Sequence, residues 1–274
     1  MNLDALPQTV LLIMAEFSVG CLIAALVADA RGMVVQSFVK LSGVLVVAGA
    51  ALTVLAALNV GDLDGYRLHD GLFGPVRGVF IAFLALAIIY ALLVLRGRRD
   101  LSLPVGGVAA AVGLAGLGLL AYQVSPPTWG FAGPLLSLLA GALALGFVTE
   151  AMVLGHWYLV STKLPSRPLE ELTFILVLAL AAQGALLILN AAVPAREVPE
   201  SSALLSGSLA ANPAFWLRIG VGLVFPLALA AMAWQSSKER AMMSATGLLY
   251  IAVGAVFVGE LLARGILFVT GAPV

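Results

Sequence analysis

The chain has 274 residues, of which 62% are hydrophobic and only 10% charged, with a mean hydropathy of +1.11; these values exclude an ordinary soluble domain and define a polytopic membrane protein. Fourteen Lys and Arg balance 14 Asp and Glu, and no nucleic-acid partner is expected. A single cysteine, Cys21, excludes an internal disulfide, a cysteine-pair redox shuttle and a cysteine-rich iron–sulfur site.

A helix crosses a bilayer in about twenty apolar residues. That window predicts eight spans, at 8–28, 41–60, 78–95, 103–123, 134–160, 172–193, 214–235 and 243–269. Hydrocarbon offers backbone groups no partner, so uninterrupted runs of this length are read as helices, and their many Gly and Ala suit close helix contacts. The fold class is all-α, one helical-bundle domain over 1–274. The connections at 61–78, 125–133 and 194–214 are too short for a soluble domain.

The first span follows MNLDALPQ, which lacks the basic segment of a cleaved signal peptide, so this span is expected to be kept. It carries Glu16 in LLIMAEFSVG. Glycines in the fourth span, such as GLAGLG, read as packing. The fifth span holds Glu150 and ends in GHWYL. A carboxylate at that depth is costly unless protonated, paired or hydrated. Trp157 and Tyr158 suit the headgroup boundary, where an apolar ring with a polar edge is favoured. His156 sits where an imidazole can exchange protons, rotated roughly 120° from the face of Glu150 by the 3.6-residue period. The sixth span contributes Gln183 and Asn190, the seventh Arg218 in FWLRIG, and the eighth Glu260 and Arg264 in GELLARG. Spaced i, i+4, the last two share a helix face and can pair.

Nine basic residues fall in alternate connections: Arg31, Lys40, Arg96, Arg98, Arg99, Lys163, Arg167, Lys238 and Arg240. Only Arg67, Arg77 and Arg196 fall in the others. The positive-inside rule puts the nine in the cytoplasm and both termini outward, with the acidic loop of Asp62, Asp64 and Asp70. Glu16, Arg218, Glu260 and Arg264 then converge near the outer face, where a carboxylate and cations can hold a polar headgroup and take its protons. Glu150, His156 and Gln183 are candidate stations of a proton path. Two histidines in the whole chain, His69 and His156, make a bis-histidine haem in the bundle unexpected. The same scarcity argues against a bound metal, and a solvated acidic loop is the expected state of Asp62, Asp64, His69 and Asp70.

Eight spans with both ends outward, a first helix LLIMAEFSVGCLIAALVADARG containing Gly20, and a last helix GLLYIAVGAVFVGELLARGILF resemble the integral-membrane anchors of polysulfide, nitrite and DMSO reductase-type complexes. The sharpest likeness is GELLAR. The resemblance implies a quinone-interacting subunit of the inner membrane, without haem of its own. It would exchange electrons with a partner subunit carrying haem or iron–sulfur clusters, and Glu260 and Arg264 would lie near the quinone. Glu16 and Arg218 join that site by their depth in the bilayer, as a further proton acceptor and a further headgroup contact. A proton-coupled transporter or a structural membrane subunit are the alternative readings, and membrane lipid is a partner in any of them.

Overall fold

Each long apolar run closes its own hydrogen bonds as a helix, and the computed structural model describes residues 5–61, 63, 68–125, 130–161, 164–192 and 209–274. The helices are α1 (Leu6–Ala30), α2 (Gln36–Asn59), α3 (Phe73–Leu95), α4 (Arg99–Gln123), α5 (Ala132–Val160), α6 (Arg167–Ala192), α7 (Pro213–Ile219), α8 (Phe225–Lys238) and α9 (Met242–Thr270). A five-residue π-helical turn, Gly220–Val224, fuses α7 and α8 into one span. Eight helical spans are therefore long and apolar enough to cross a membrane, and the protein is an all-α multi-pass membrane protein. Asp62, Asp64, Arg67, Lys163 and Arg196, used above to read the loops, lie outside the described residues.

Several helices start earlier than their apolar runs, because charged residues occupy their first turns. Arg77, read as a loop residue, lies inside α3. Its guanidinium reaches back to the end of α2, donating to the Ala57 carbonyl at 2.8 Å and the Val60 carbonyl at 3.1 Å. These carbonyls lack helical donors, so the arginine caps one helix from within the next. At the other end of the bundle, Arg99 at the start of α4 holds Asp29 at the end of α1 at 3.1 Å. There too, Glu171 on α6 joins Arg31 at 2.7 Å and Arg167 at 2.9 Å. The Tyr158 hydroxyl donates to the Pro165 carbonyl at 2.5 Å, tying the last turn of α5 to the turn before α6.

The helices form two four-span halves. In the first, α1 packs on α2, α2 on α3, α3 on α4, and α4 returns to α1; in the second, α5, α6, the α7–α8 span and α9 repeat that ring. Contacts between the halves obey the same exchange. The α1–α9 contact is matched by α4–α5, the α1–α6 contact by α2–α5, and α1 meets α5 directly. Helix adjacency is thus unchanged when the halves are swapped. α1 and α5, four spans apart, cross in the same direction, so equivalent helices of the two halves run parallel.

The α1–α5 contact is backbone on backbone. A methyl group at Gly20 would overlap the Ala142 carbonyl, and one at Gly146 would overlap the backbone of Gly20. α1 and α5 are the most enclosed spans. In a membrane, where lipid is as apolar as leucine, such close approach supplies the dispersion contacts that hold helices together.

Candidate functional site

Glu16, Arg218, Glu260 and Arg264, expected to share a depth, are in direct contact. Arg264 is the hub. Its Nη2 lies 2.6 Å from Glu16 Oε1 and 3.0 Å from Glu260 Oε2, and its Nε donates to Glu16 Oε2 at 3.2 Å. Nη1 donates to the Ser137 hydroxyl at 2.8 Å and Nη2 to the Ser137 carbonyl at 3.1 Å. The i, i+4 pair expected within the last span is therefore present, but it is one edge of a larger network. Gln183 Nε2 donates to Glu260 Oε1 at 2.6 Å, and Gln183 Oε1 accepts from Arg218 Nη2 at 2.9 Å. Arg218 Nη2 is also 3.6 Å from Glu260 Oε1. Two carboxylates and two guanidinium groups, all at most 1% exposed, give a site with no net charge. Mutual pairing with further hydrogen bonds is the condition under which buried ions persist.

The local sequence explains how α7 and α9 approach closely enough. Pro226 has no N–H, so the Gly222 carbonyl loses its ordinary helical donor. Arg218 Nη1 donates to that carbonyl at 2.9 Å instead, across the π-helical turn. A Cβ on Gly222 would sit 2.5 Å from the Gly259 Cα, so glycine on both sides lets α9 come in beside the bulge. On α5, a Cβ at Gly141 would meet Glu16 Oε1 at 2.5 Å, Arg264 Nη2 at 2.7 Å and Glu260 Oε2 at 2.8 Å. Gly141 is the floor of the site.

Ser137, Gly141, Gly222 and Pro226 were not legible as site residues. The i, i+4 spacing of Ser137 and Gly141 puts one hydroxyl and one gap on the same face of α5, a pattern too common in membrane helices to mark a site by itself.

The proton-path candidates are placed apart. Gln183 belongs to the charge cluster. Glu150 is fully buried and shares a hydrogen bond of 2.5 Å with Ser42 of α2. His156 is exposed, its Nδ1 3.3 Å from the Tyr250 hydroxyl. The three are not joined by direct hydrogen bonds. Glu16 stands four residues before Gly20 and Glu150 four residues after Gly146, so the tight α1–α5 crossing lies between cluster and carboxyl. In the connection before α3, His69 stacks on Tyr122 at 4.9 Å. Among the described residues no group of three His, Cys, Asp or Glu side chains has metal-site geometry.

Compared with known proteins, the chain matches no family model and no curated protein. The class that fold and site define is a multi-pass membrane protein of two related four-span halves, with a neutral, fully buried cluster of four charges where α1, α5, α6, α7 and α9 meet.

Proposed function

We propose that the chain is the quinone-interacting membrane subunit of a respiratory electron-transfer complex. The observation that carries this reading is Arg218 Nε, a buried donor without a hydrogen-bond acceptor among the described residues, held beside the Glu260 carboxylate. A quinone supplies carbonyl acceptors and, when reduced, hydroxyl protons. On this reading Arg218 Nε donates to a head oxygen and Glu260 accepts a proton, while Arg264 and Gln183 hold its carboxylate in place. Glu16 balances the charge of Arg264 as Glu260 changes protonation. A narrow cleft of about 60 Å³ between α7 and α9 is lined by Asn212, Ala214, Leu262, Gly265, Ile266 and Val269, and on this reading it would have to widen for the head to reach the cluster. Electrons leave to a partner subunit carrying haem or iron–sulfur clusters, and the GELLAR resemblance supports the same assignment. The partition of basic residues supports an inner-membrane orientation with the cluster toward the outer face.

The test is Glu260→Gln in the purified complex, with subunit content checked. Quinol turnover is expected to fall roughly 100-fold or more while binding persists, the usual cost of removing a general base. Normal turnover in the intact complex would assign Glu260 to structure alone.

One observation favours a second reading, a proton-coupled transporter: the two halves are interchangeable, as in transporters built from parallel repeats. Solute uptake driven by a proton gradient in liposomes holding this chain alone would select it. Copurification with haem or iron–sulfur proteins would select the first.

A further inference from the structure

Ser42 has two neighbours and one proton. Its hydroxyl lies 3.1 Å from the Phe38 carbonyl and 2.5 Å from Glu150 Oε2. A hydroxyl donates once. If Ser42 donates to Phe38, the short contact to Glu150 needs its hydrogen from the other side, from the carboxyl group. Glu150 takes part in no ion pair among the described residues. Its Oε1 and the Tyr90 hydroxyl are enclosed and have no hydrogen-bond partner among them. Cys21 on α1 and Tyr90 on α3 lie within electrostatic reach of Glu150, and neither is a cation. Tyr90 flanks the site on the α3 side, its ring packed at Gly43, the residue after Ser42.

A lone carboxylate in such a place would be an uncompensated charge in hydrocarbon. A carboxylic acid accounts for both Ser42 contacts with one hydrogen in each. We infer that Glu150 is a neutral, proton-loaded carboxylic acid whose O–H donates to Ser42, which in turn donates to the Phe38 carbonyl, a proton-binding site distinct from the charge cluster. Release moves the proton from Oε2 to an entering water, which leaves as hydronium, and the carboxylate stays behind. Ser42 then turns its hydrogen from Phe38 to Glu150 Oε2. The site thus holds one exchangeable proton, with a serine rotor that follows its state. The tight Gly20–Gly146 crossing lies between it and Glu16, and its proton is expected to exchange from the nearer end of α5, the one that carries His156. The inference is independent of the quinone reading.

Infrared spectroscopy of the full chain in lipid nanodiscs tests it. At neutral pH the wild type is expected to show a protonated-carboxyl C=O band that shifts on deuteration. Glu150→Gln should lose the share of that band due to one carboxyl, and Ser42→Ala should keep the band but move it to higher frequency, because the acid loses its acceptor. A wild-type spectrum with no such band overturns the proposal even if neither variant folds. A band untouched by Glu150→Gln overturns it as well, and one unmoved by Ser42→Ala overturns the donor chain.

Discussion

Arg264 on the last helix and Glu16 on the first are 248 residues apart in sequence and 2.6 Å apart in space, so the final span is locked to the opening one by a fully buried ion pair. Arg264 is also the counter-charge of Glu260. Its loss leaves two carboxylates facing a single remaining cation, Arg218.

Removing one partner of a buried pair costs about 3–5 kcal/mol, since the remaining charge stays desolvated. Arg264→Met is therefore expected to lower thermal stability in detergent strongly. Adding Glu16→Gln returns the cluster to one carboxylate and one guanidinium, and the double variant should recover part of the loss. Equal melting of Arg264→Met and wild type would show that the network contributes nothing to stability.

The α1–α5 crossing should be intolerant of a single methyl. In Gly146→Ala the new atom meets the backbone of Gly20, not a movable side chain, so the two central helices must separate. Overpacking costs typically 1–3 kcal/mol, and here the upper part of that range is expected, about 3 kcal/mol. Gly118→Ala, with open space at its Cβ, is the control and should be neutral or slightly stabilising. Comparable melting of the two variants would remove the crossing from the structural argument.

Span number and class were legible because hydropathy is a local property summed over a window. Convergence of Glu16, Arg218, Glu260 and Arg264 was legible only as a common depth, since each residue's distance from its helix end is readable while its azimuth is not. The partners that fix azimuth were silent. Ser137 is one hydroxyl among leucines, and Ser42 gives no sign that Glu150 lies 108 residues away. Gln183 was placed on a proton path because a mid-span amide suits either use. Its two bonds to Glu260 and Arg218 depend on how α6 is rotated, which periodicity cannot fix in a span that is apolar all round. The exchange symmetry of the halves is a matter of which helices touch.

Pro226 should be responsible for the π-helical turn. Pro226→Ala supplies an N–H for the Gly222 carbonyl, and that bond competes with Arg218 Nη1. Closing the turn to ordinary α-helix removes about one residue of bulge and rotates Arg218 by roughly 100° relative to α8. Amide hydrogen exchange of peptides covering Gly220–Val224 is expected to slow, while the thermal stability of the whole chain falls despite the better helix former. Unchanged exchange in that segment would place the cause of the bulge elsewhere, in the glycines themselves.

The orientation proposal is the most direct to check, because Cys21 is buried and the chain has no other thiol. In a Cys21→Ala background, single cysteines at Gly71 and Glu239 lie at opposite ends of the bundle, both exposed. Gly71 precedes α3 at the end shared with the charge cluster, and Glu239 follows α8 at the end rich in Arg and Lys. With the basic end facing the cytoplasm, an impermeant thiol reagent applied to intact cells should label Gly71→Cys and leave Glu239→Cys unlabelled until the membrane is opened. The reverse pattern would turn the molecule over. Proton release at Glu260 would then face the cytoplasm, and the proton bound at Glu150 would exchange with the outside.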